Sequence, residues 1–333
     1  MKTKAVLCVC ACALIGIACK KETKATGVPG QAGTAQAAMT PMAKPSDPLP
    51  KENTGLYAAK TKEGTGFIDR SGKFVIEPKF KRVLEFSEGL APAMDAANRW
   101  GYIDKTGKWI IAPQYTVALP FGEGLGSVRI GDQFGAINRN GDLVIAPKFS
   151  GIGQFHEGLA ETLFEQNVGG VHVRGWGFLK PDGTFALAPD WDGVGPFSDG
   201  LAAVRVMGKK WGFMDKSAKL VIQPVYEEAQ KFTDGLAAVD GGKPYGNKWG
   251  YIDKTGKFVI SPQYALARPF FEGLAGAKAT TNMKWGFIDK TGKMVIPAAY
   301  DEIASFQDDW ALVKVGGKER YIDKTGKTVW QEK

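Results

Sequence analysis

The sequence predicts an all-β repeat protein of about eight units, each with three to four strands. Three observations support this fold class. A pattern that begins with Trp-Gly recurs across residues 53–333, glycines and aromatic residues keep constant spacings inside each copy, and the runs between them are short and either alternating or β-branched. Short runs of this kind, bounded by turn residues at regular intervals, are typical of sheets rather than helices.

The repeat is clearest when it is counted from the glycine after the tryptophan. An aromatic residue follows 14 residues later, a phenylalanine 20 residues later, and in most copies a second glycine opens a Gly-Leu pair 23 residues later. Only the stretch between Gly-Leu and the next Trp-Gly varies in length, so every insertion falls in one loop of the unit. The structural landmarks of the repeat are Trp100, Gly101, Trp176, Gly177, Trp211, Gly212, Trp249, Gly250, Trp285 and Gly286.

Each unit is predicted to contain three strands and a short fourth strand near the recurring phenylalanine. The Trp-Gly run and the following Val-Ile run flank a turn such as Lys-Thr-Gly, which predicts a β-hairpin. The turn glycine is expected at a left-handed backbone position, and Ala218, which replaces it once, should be strained by about 1 kcal/mol. An aspartate before the turn, such as Asp253, is expected to accept hydrogen bonds from the turn amides.

The number of units favours a closed ring. The repeats begin with Gly55-Leu56 and end at Lys327–Trp330, so counting from Gly-Leu gives eight complete units. A β-propeller closes with typically four to eight blades, whereas an open β-solenoid usually needs atypical units at its ends. A closed propeller-like ring is therefore favoured over an open solenoid, which remains the alternative.

One segment of the repeat carries a family resemblance. The residues WGYIDKTGK at 249–257 recur at 100–108 and 285–293, and more loosely at 211–219. They resemble the WG (KWG) repeat family of bacteria, whose pattern is W-G-[FY]-I-D-x-x-G-K-x-V-I followed by F-x-[DE]-G-L-A. The resemblance covers residues 53–333. It implies a β-repeat scaffold and no particular chemistry, because the family is defined by its repeat.

The first 18 residues predict a signal peptide, since two lysines precede an apolar run. Residues 16–19 (GIAC) are similar to a bacterial lipobox, which would make Cys19 the lipidated first residue of the mature chain, although Gly16 stands where leucine is expected. Residues 9–12 (VCAC) form a second candidate box, and cleavage without a lipid is the alternative.

Residues 19–52 are predicted to be the lipidated cysteine and a flexible linker, because they are rich in Ala, Thr, Gly, Pro and Lys and lack apolar periodicity. The protein would then be attached to its membrane partner through the lipid, and its expected location is the bacterial cell envelope. Lys20 rather than aspartate follows Cys19, so the outer membrane or cell surface is favoured over the inner membrane.

Composition argues against several classes of function. The formal charge of +8 is spread over the repeats without a basic stripe, so no nucleic-acid partner is expected. The only histidines are His156 and His172, and all four cysteines lie in the first 19 residues, so no metal site is expected. No phosphate-binding glycine loop or nucleophile elbow is present, and neither a cofactor nor enzymatic activity is expected.

The variable loops are the candidate binding sites, for an unknown protein or an envelope polymer. They are longest at residues 162–175, 240–248 and 277–284, on what should be one face of the repeat. Tolerated drift in solvent-exposed loops is the alternative interpretation. The residues suited to contact a partner are Phe164, Gln166, His172, Arg174, Tyr245, Asn247, Asn282 and Met283.

Two other patterns admit a functional interpretation. Acidic residues precede Gly-Leu, or the equivalent Asp309-Trp310, in seven of the eight units and could form a row that binds calcium or a cationic ligand, but local satisfaction of turn amides is favoured. The alternative function is a glycan-binding or glycan-active protein that stacks sugars on exposed tryptophans, namely Trp109, Trp191 and Trp310. Burial of these three between units would count against it. The acids are Glu88, Glu123, Glu157, Asp199, Asp234, Glu272 and Asp308.

Overall fold

The computed structural model describes residues 55–168, 171–206 and 210–332. These residues form eight small antiparallel sheets arranged in a ring, a β-propeller with eight blades, which confirms the predicted all-β ring. Six sheets have four strands and two have three. A single 3-10 turn at Lys243–Tyr245 is the only helix in the described ranges, so none there is long and apolar enough to cross a membrane.

The strands follow one another blade by blade. They are β1 Tyr57–Lys60, β2 Thr65–Ile68 and β3 Phe74–Phe80 in blade 1; β4 Arg82–Val83, β5 Ala91–Met94, β6 Trp100–Ile103 and β7 Trp109–Tyr115 in blade 2; β8 Val117–Ala118, β9 Gly126–Ile130, β10 Gln133–Ile137 and β11 Leu143–Phe149 in blade 3; β12 Gly151–Ile152, β13 Ala160–Val168, β14 Val171–Leu179 and β15 Phe185–Trp191 in blade 4; β16 Gly193–Val194, β17 Ala202–Arg205, β18 Trp211–Met214 and β19 Leu220–Tyr226 in blade 5; β20 Ala237–Asp240, β21 Trp249–Ile252 and β22 Phe258–Tyr264 in blade 6; β23 Leu266–Phe271, β24 Leu274–Lys278, β25 Trp285–Ile288 and β26 Met294–Tyr300 in blade 7; β27 Glu302–Ile303, β28 Trp310–Val315, β29 Lys318–Asp323 and β30 Thr328–Gln331 in blade 8.

A complete blade contains a short strand, a Gly-Leu strand, a Trp-Gly strand and a long strand, hydrogen-bonded in that order. The predicted three strands and short fourth strand are thus confirmed. The long strand shifts register against the Trp-Gly strand, because Trp100 pairs with Tyr115 while Tyr102 pairs with Ile111. The two extra residues form a bulge in the long strand.

This bulge explains the glycine of Trp-Gly. A methyl group placed on Gly101 would lie 2.5 Å from the carbonyl oxygen of Ile111. The eighth unit has Arg320 at this position, and there Arg320 pairs with Gln331 and Tyr321 with Trp330, without the bulge between them. An arginine is therefore tolerated at position 320, because the long strand of blade 8 does not bulge over the backbone of this residue.

The core consists of eight hydrophobic clusters, each between two consecutive blades. An open row of eight sheets would have seven such interfaces. The eighth cluster joins the first and last blades through Tyr57, Ala59, Ile68, Trp310 and Tyr321. The ring is therefore closed by side-chain packing, and the open solenoid is excluded.

The turn between the Trp-Gly and long strands has the predicted geometry. Asp253 Oδ1 accepts hydrogen bonds from the amides of Thr255 at 2.9 Å and Lys257 at 3.1 Å. The Thr255 hydroxyl also donates to it at 2.6 Å, and these donors lower the pKa of Asp253 below its usual range. Ala218 has a φ of 64°, which confirms the expected left-handed position.

Candidate functional site

The turns of the propeller divide into two sets at opposite ends of the Trp-Gly strands. We call the end with the variable turns the loop face; its described turns include residues 61–64, 95–99, 131–132, 241–248, 279–284 and 316–317. The acid face is the opposite end, which carries the Asp-capped turns and the acids that precede Gly-Leu. The two faces differ in whether their polar side chains form contacts between neighbouring blades.

On the acid face, the acids before Gly-Leu bind the next blade. Asp199 accepts a hydrogen bond from the amide of Gly235, and Asp234 from the amide of Gly273, both at 2.8 Å. The acids do accept from turn amides, but the expectation of a local contact is wrong, because the amides belong to the neighbouring blade and not to the acid's own turn. The remaining donor pairs are Gly124 to Glu88, Gly158 to Glu123, Gly200 to Glu157, Asp308 and Asp309 to Glu272, and Gly55 to Asp308.

Basic residues reinforce the same contacts. Lys216 donates to the carbonyl of Glu157, and Lys290 to that of Asp234, both at 2.7 Å. Arg70 in blade 1 donates to the carbonyl of Asp308 in blade 8 at 3.1 Å. Each of the seven acids adopts a left-handed φ between 52° and 55°. The acid face is therefore occupied by contacts that hold the ring together.

The longest hairpin of the loop face belongs to blade 4. Its strands β13 and β14 have nine residues each, against four in β5 and β6 of blade 2, so its paired strands are about 16 Å longer. Glu165 faces His172 and Arg174, each at 3.4 Å. The Gln166 amide donates to the carbonyl of Lys148 at 2.9 Å. His172 and Arg174 are exposed, as a contact site requires.

Phe164 does not belong to this exposed set. Its side chain is only 6% exposed and packs against Phe149 and Phe185, with ring centroids 6.3 and 5.7 Å away. The expectation that Phe164 contacts a partner is therefore wrong. The residue lies inside the unusually long β13, and alternation along the strand turns it toward the core.

The loops of blades 6 and 7 expose apolar groups. Tyr245 is 45% exposed although its ring packs edge-on against Phe258, and Met283 is 53% exposed. Asn247 is exposed in a left-handed conformation. Asn282 donates to the carbonyl of Ala298 at 3.0 Å and accepts from the amide of Lys284, so it holds the shape of the loop.

The tryptophans of the glycan alternative are not brought together. Trp109 and Trp191 are half-buried and Trp310 is buried, and each belongs to a different cluster between blades. They do not form a common stacking surface. Among the landmark tryptophans, Trp100, Trp249 and Trp285 are buried, and Trp176 and Trp211 are half-buried against the aromatic residue of their own long strand.

Sequence reasoning missed a basic groove on the loop face between blades 1 and 2. It has a volume of about 360 Å³, and its lining includes Lys60, Lys62, Lys79 and Lys81. The only acid in the lining is Glu63. The four lysines are spread over 22 residues of sequence, and they meet only because the turn after the Gly-Leu strand and the end of the long strand lie on the same face.

Glu161 is a second residue without a counterpart in the other units. It points toward Gly153, directly after the short strand β12, where any side chain would collide with its carboxyl group. Its Oε2 is buried and has no hydrogen-bond partner among the described residues. Burial raises the pKa of Glu161 to about 7, although the positive charge of Lys231 opposes the shift.

The remaining expectations concern metal binding and the lipid anchor. In the described part of the chain, no three His, Cys, Asp or Glu side chains converge as a metal site requires. Cys19, the signal peptide and the linker lie outside the described residues.

Comparison with solved structures gives the same fold at low sequence identity. The computationally designed Ika8 protein is 10% identical with a TM-score of 0.51, over 75% of this chain and 85% of that chain. Prolyl oligopeptidase B from Galerina marginata is 12% identical with a TM-score of 0.53, over 77% of this chain and 51% of the oligopeptidase. At these identities the likeness concerns the fold alone, and no curated protein matches the chain.

A family model adds the missing identification. The model, described as a WG containing repeat, matches the chain seven times. The matches cover residues 66–95, 100–133, 134–162, 176–211, 211–240, 249–279 and 285–318, which together make up more than half of the chain. Together with the tryptophan, glycine and bulge geometry of the blades, these matches show that the chain belongs to the WG repeat family.

Proposed function

We propose that the protein is a membrane-tethered, non-catalytic binding scaffold whose loop face contacts a protein or an envelope polymer. The observation that carries the proposal is the contrast between the two faces. Carboxylates and basic side chains of the acid face are engaged in contacts between blades, whereas the turns of the loop face vary in length and expose side chains such as Tyr245 and Met283.

The exposed apolar residues support the loops of blades 5 to 7 as the centre of contact. Val225 is 54% exposed and Leu266 is 40% exposed, and both lie at the loop-face ends of their strands. Tyr245 and Met283 project from the intervening and following turns. An exposed apolar group with polar neighbours is the composition that protein contacts favour.

Site-specific photocrosslinking in cells tests this assignment. A photoreactive amino acid would replace Tyr245 or Met283 on the loop face, and Lys180 or Lys254 on the acid face as matched controls. All four side chains are exposed, so reactivity alone does not favour either face. We expect discrete adducts from the loop-face positions only. Equal adducts from both faces, or adducts from the acid face alone, would contradict the proposal.

The tether is proposed to be a lipid on Cys19. A Cys19→Ser variant should lose incorporation of a labelled fatty acid and leave the membrane fraction, while a Cys12→Ser variant should retain both. Labelled fatty acid on the Cys19→Ser protein, or its loss in Cys12→Ser, would refute Cys19 as the anchor.

A further inference from the structure

We infer that the basic groove between blades 1 and 2 binds a ligand that carries more than one phosphate. This inference deepens the proposed function, because the groove lies on the loop face. Its lining includes four lysines together with Thr61 and Thr65, around one space of about 360 Å³. Lysine ammonium groups bind phosphate as point charges.

Within the part of the chain that the structure describes, the four lysines have no acidic partner. None of them lies within 4.0 Å of a carboxylate in the described residues. Lys81 donates to Asn98 Oδ1, and Lys79 lies over the Phe80 ring at 5.3 Å, so both have only neutral partners. Four positive charges against Glu63 leave the groove with a net charge near +3.

In six of the other seven blades, at least one loop-face cation forms an ion pair. Lys210 pairs with Glu227 at 3.0 Å in blade 5, and Lys314 with Glu302 at 3.7 Å in blade 8. Ion pairs also occur on this face in blades 2, 3, 4 and 7, between Arg99 and Asp95, Arg129 and Asp132, Arg174 and Glu165, and Lys284 and Asp301. The accumulation of unpaired lysines in blade 1 is therefore not a general feature of the repeat.

Equivalent positions show that the repeat does not require lysine. Lys79 and Lys81 flank Phe80, and in blade 4 the residues that flank Trp191 are Asp190 and Asp192. The fold accepts either sign of charge at this place. The concentration of positive charge is thus a property of one groove, and an anion is the ligand class that it complements.

The probe for this site is inorganic pyrophosphate, titrated by calorimetry into the full chain. We expect binding that weakens as the salt concentration rises. Each single substitution among K60A, K62A, K79A and K81A should weaken binding about threefold, and the quadruple variant about 50-fold or more. The matched control is the quadruple variant K73A/K108A/K257A/K293A, whose lysines are equally exposed but lie on the acid face.

The outcomes separate a site from general charge attraction. Loss of binding in the groove variant with retention in the control supports the inference, provided that both keep the native circular dichroism spectrum. Equal weakening in both variants, or unchanged binding in the groove variant, overturns it. Because this assay needs no partner, its failure is distinguishable from failure of the loop-face proposal.

Two further probes identify the source of the phosphate. A short glycerol phosphate oligomer with at least two diester phosphates represents a headgroup cluster or an envelope polymer, and tripolyphosphate represents a free polyphosphate. Competition with pyrophosphate by the oligomer would assign the groove to headgroups or polymers, and competition by tripolyphosphate alone would assign it to free polyphosphates. Competition by neither at saturating concentration, together with unchanged binding in the groove variant, would reject a phosphate site.

Discussion

Tyr57 of the first blade stacks on Trp310 of the last, with ring centroids 4.4 Å apart and an interplanar angle of 26°. The Tyr57 hydroxyl also donates to the carbonyl of Asp308 at 2.9 Å. Other units have alanine or glycine at the position of Tyr57 and a phenylalanine three residues before Gly-Leu, where this unit has Glu52. The tyrosine thus supplies, at the closing interface, the aromatic ring that the phenylalanine supplies elsewhere.

Removal of this ring should open the closing interface. We predict that Tyr57→Ala lowers the free energy of unfolding by about 3–5 kcal/mol, as expected for a buried aromatic side chain. Urea denaturation followed by tryptophan fluorescence measures the change. Tyr245→Ala, which truncates a 45% exposed ring, is the control and should cost less than about 1 kcal/mol. Equal losses would show that Tyr57 has no special role in closure.

The turn alanine offers a stabilising substitution. Ala218 has a φ of 64°, and we predict that Ala218→Gly raises the free energy of unfolding by about 0.5–1 kcal/mol. The reverse change in blade 6, Gly256→Ala, should be destabilising, because its φ is 85° and a methyl group there would lie 3.2 Å from Ile222 Cγ2. Thermal unfolding of both variants tests the pair. A less stable Ala218→Gly protein would contradict the strain assigned to this turn.

The glycine of Trp-Gly should tolerate no side chain where the long strand bulges. Gly101→Ala would place a methyl group 2.5 Å from the Ile111 carbonyl oxygen, so we predict a loss of about 2 kcal/mol or more. Arg320→Ala at the equivalent position of blade 8, where this bulge is absent, should cost less than about 1 kcal/mol. Chemical denaturation that ranks the two variants in the opposite order would refute the bulge explanation.

Glu161 should make stability depend on pH. Its pKa is raised from 4.5 to about 7, so between these values the folded state holds more protons than the unfolded state. Stability therefore falls as pH rises through this window. We predict that Glu161→Gln gains roughly 2–4 kcal/mol over the native protein between pH 4 and pH 8. Urea denaturation at several pH values measures the difference, and parallel pH profiles for the two proteins would contradict it.

Much of the fold follows from local pattern. The spacing of glycines and aromatics predicted the unit, its strands and its Asp-capped turn, because each depends on residues near one another in the chain. The unit count predicted closure. Ala218 could be recognised as strained because a left-handed turn position depends on the backbone alone.

Contacts between blades could not be predicted in the same way. The partner of Asp199 is the amide of Gly235 in the next blade, and that pairing depends on how consecutive sheets are oriented. Phe164 was mistaken for a loop residue because the extra length of β13 is not visible as a change of pattern. The lysine groove depends on both kinds of information, since its lysines come from separate strands and turns of blade 1 and its lining includes Ala96 of blade 2.

The most direct test of the account is a loop exchange on the proposed contact face. In one variant, residues 241–248 and 279–284 are replaced by the short Gly131-Asp132 turn of blade 3, and in a control, exposed Lys180 and Lys254 of the acid face are changed to alanine. Partners cross-linked in cells are then recovered and quantified for the native chain and both variants. The account predicts loss of the recovered partner from the loop variant and its retention by the control. Retention of the partner by the loop variant would contradict it, and loss from the control at the same time would assign the contact to the acid face.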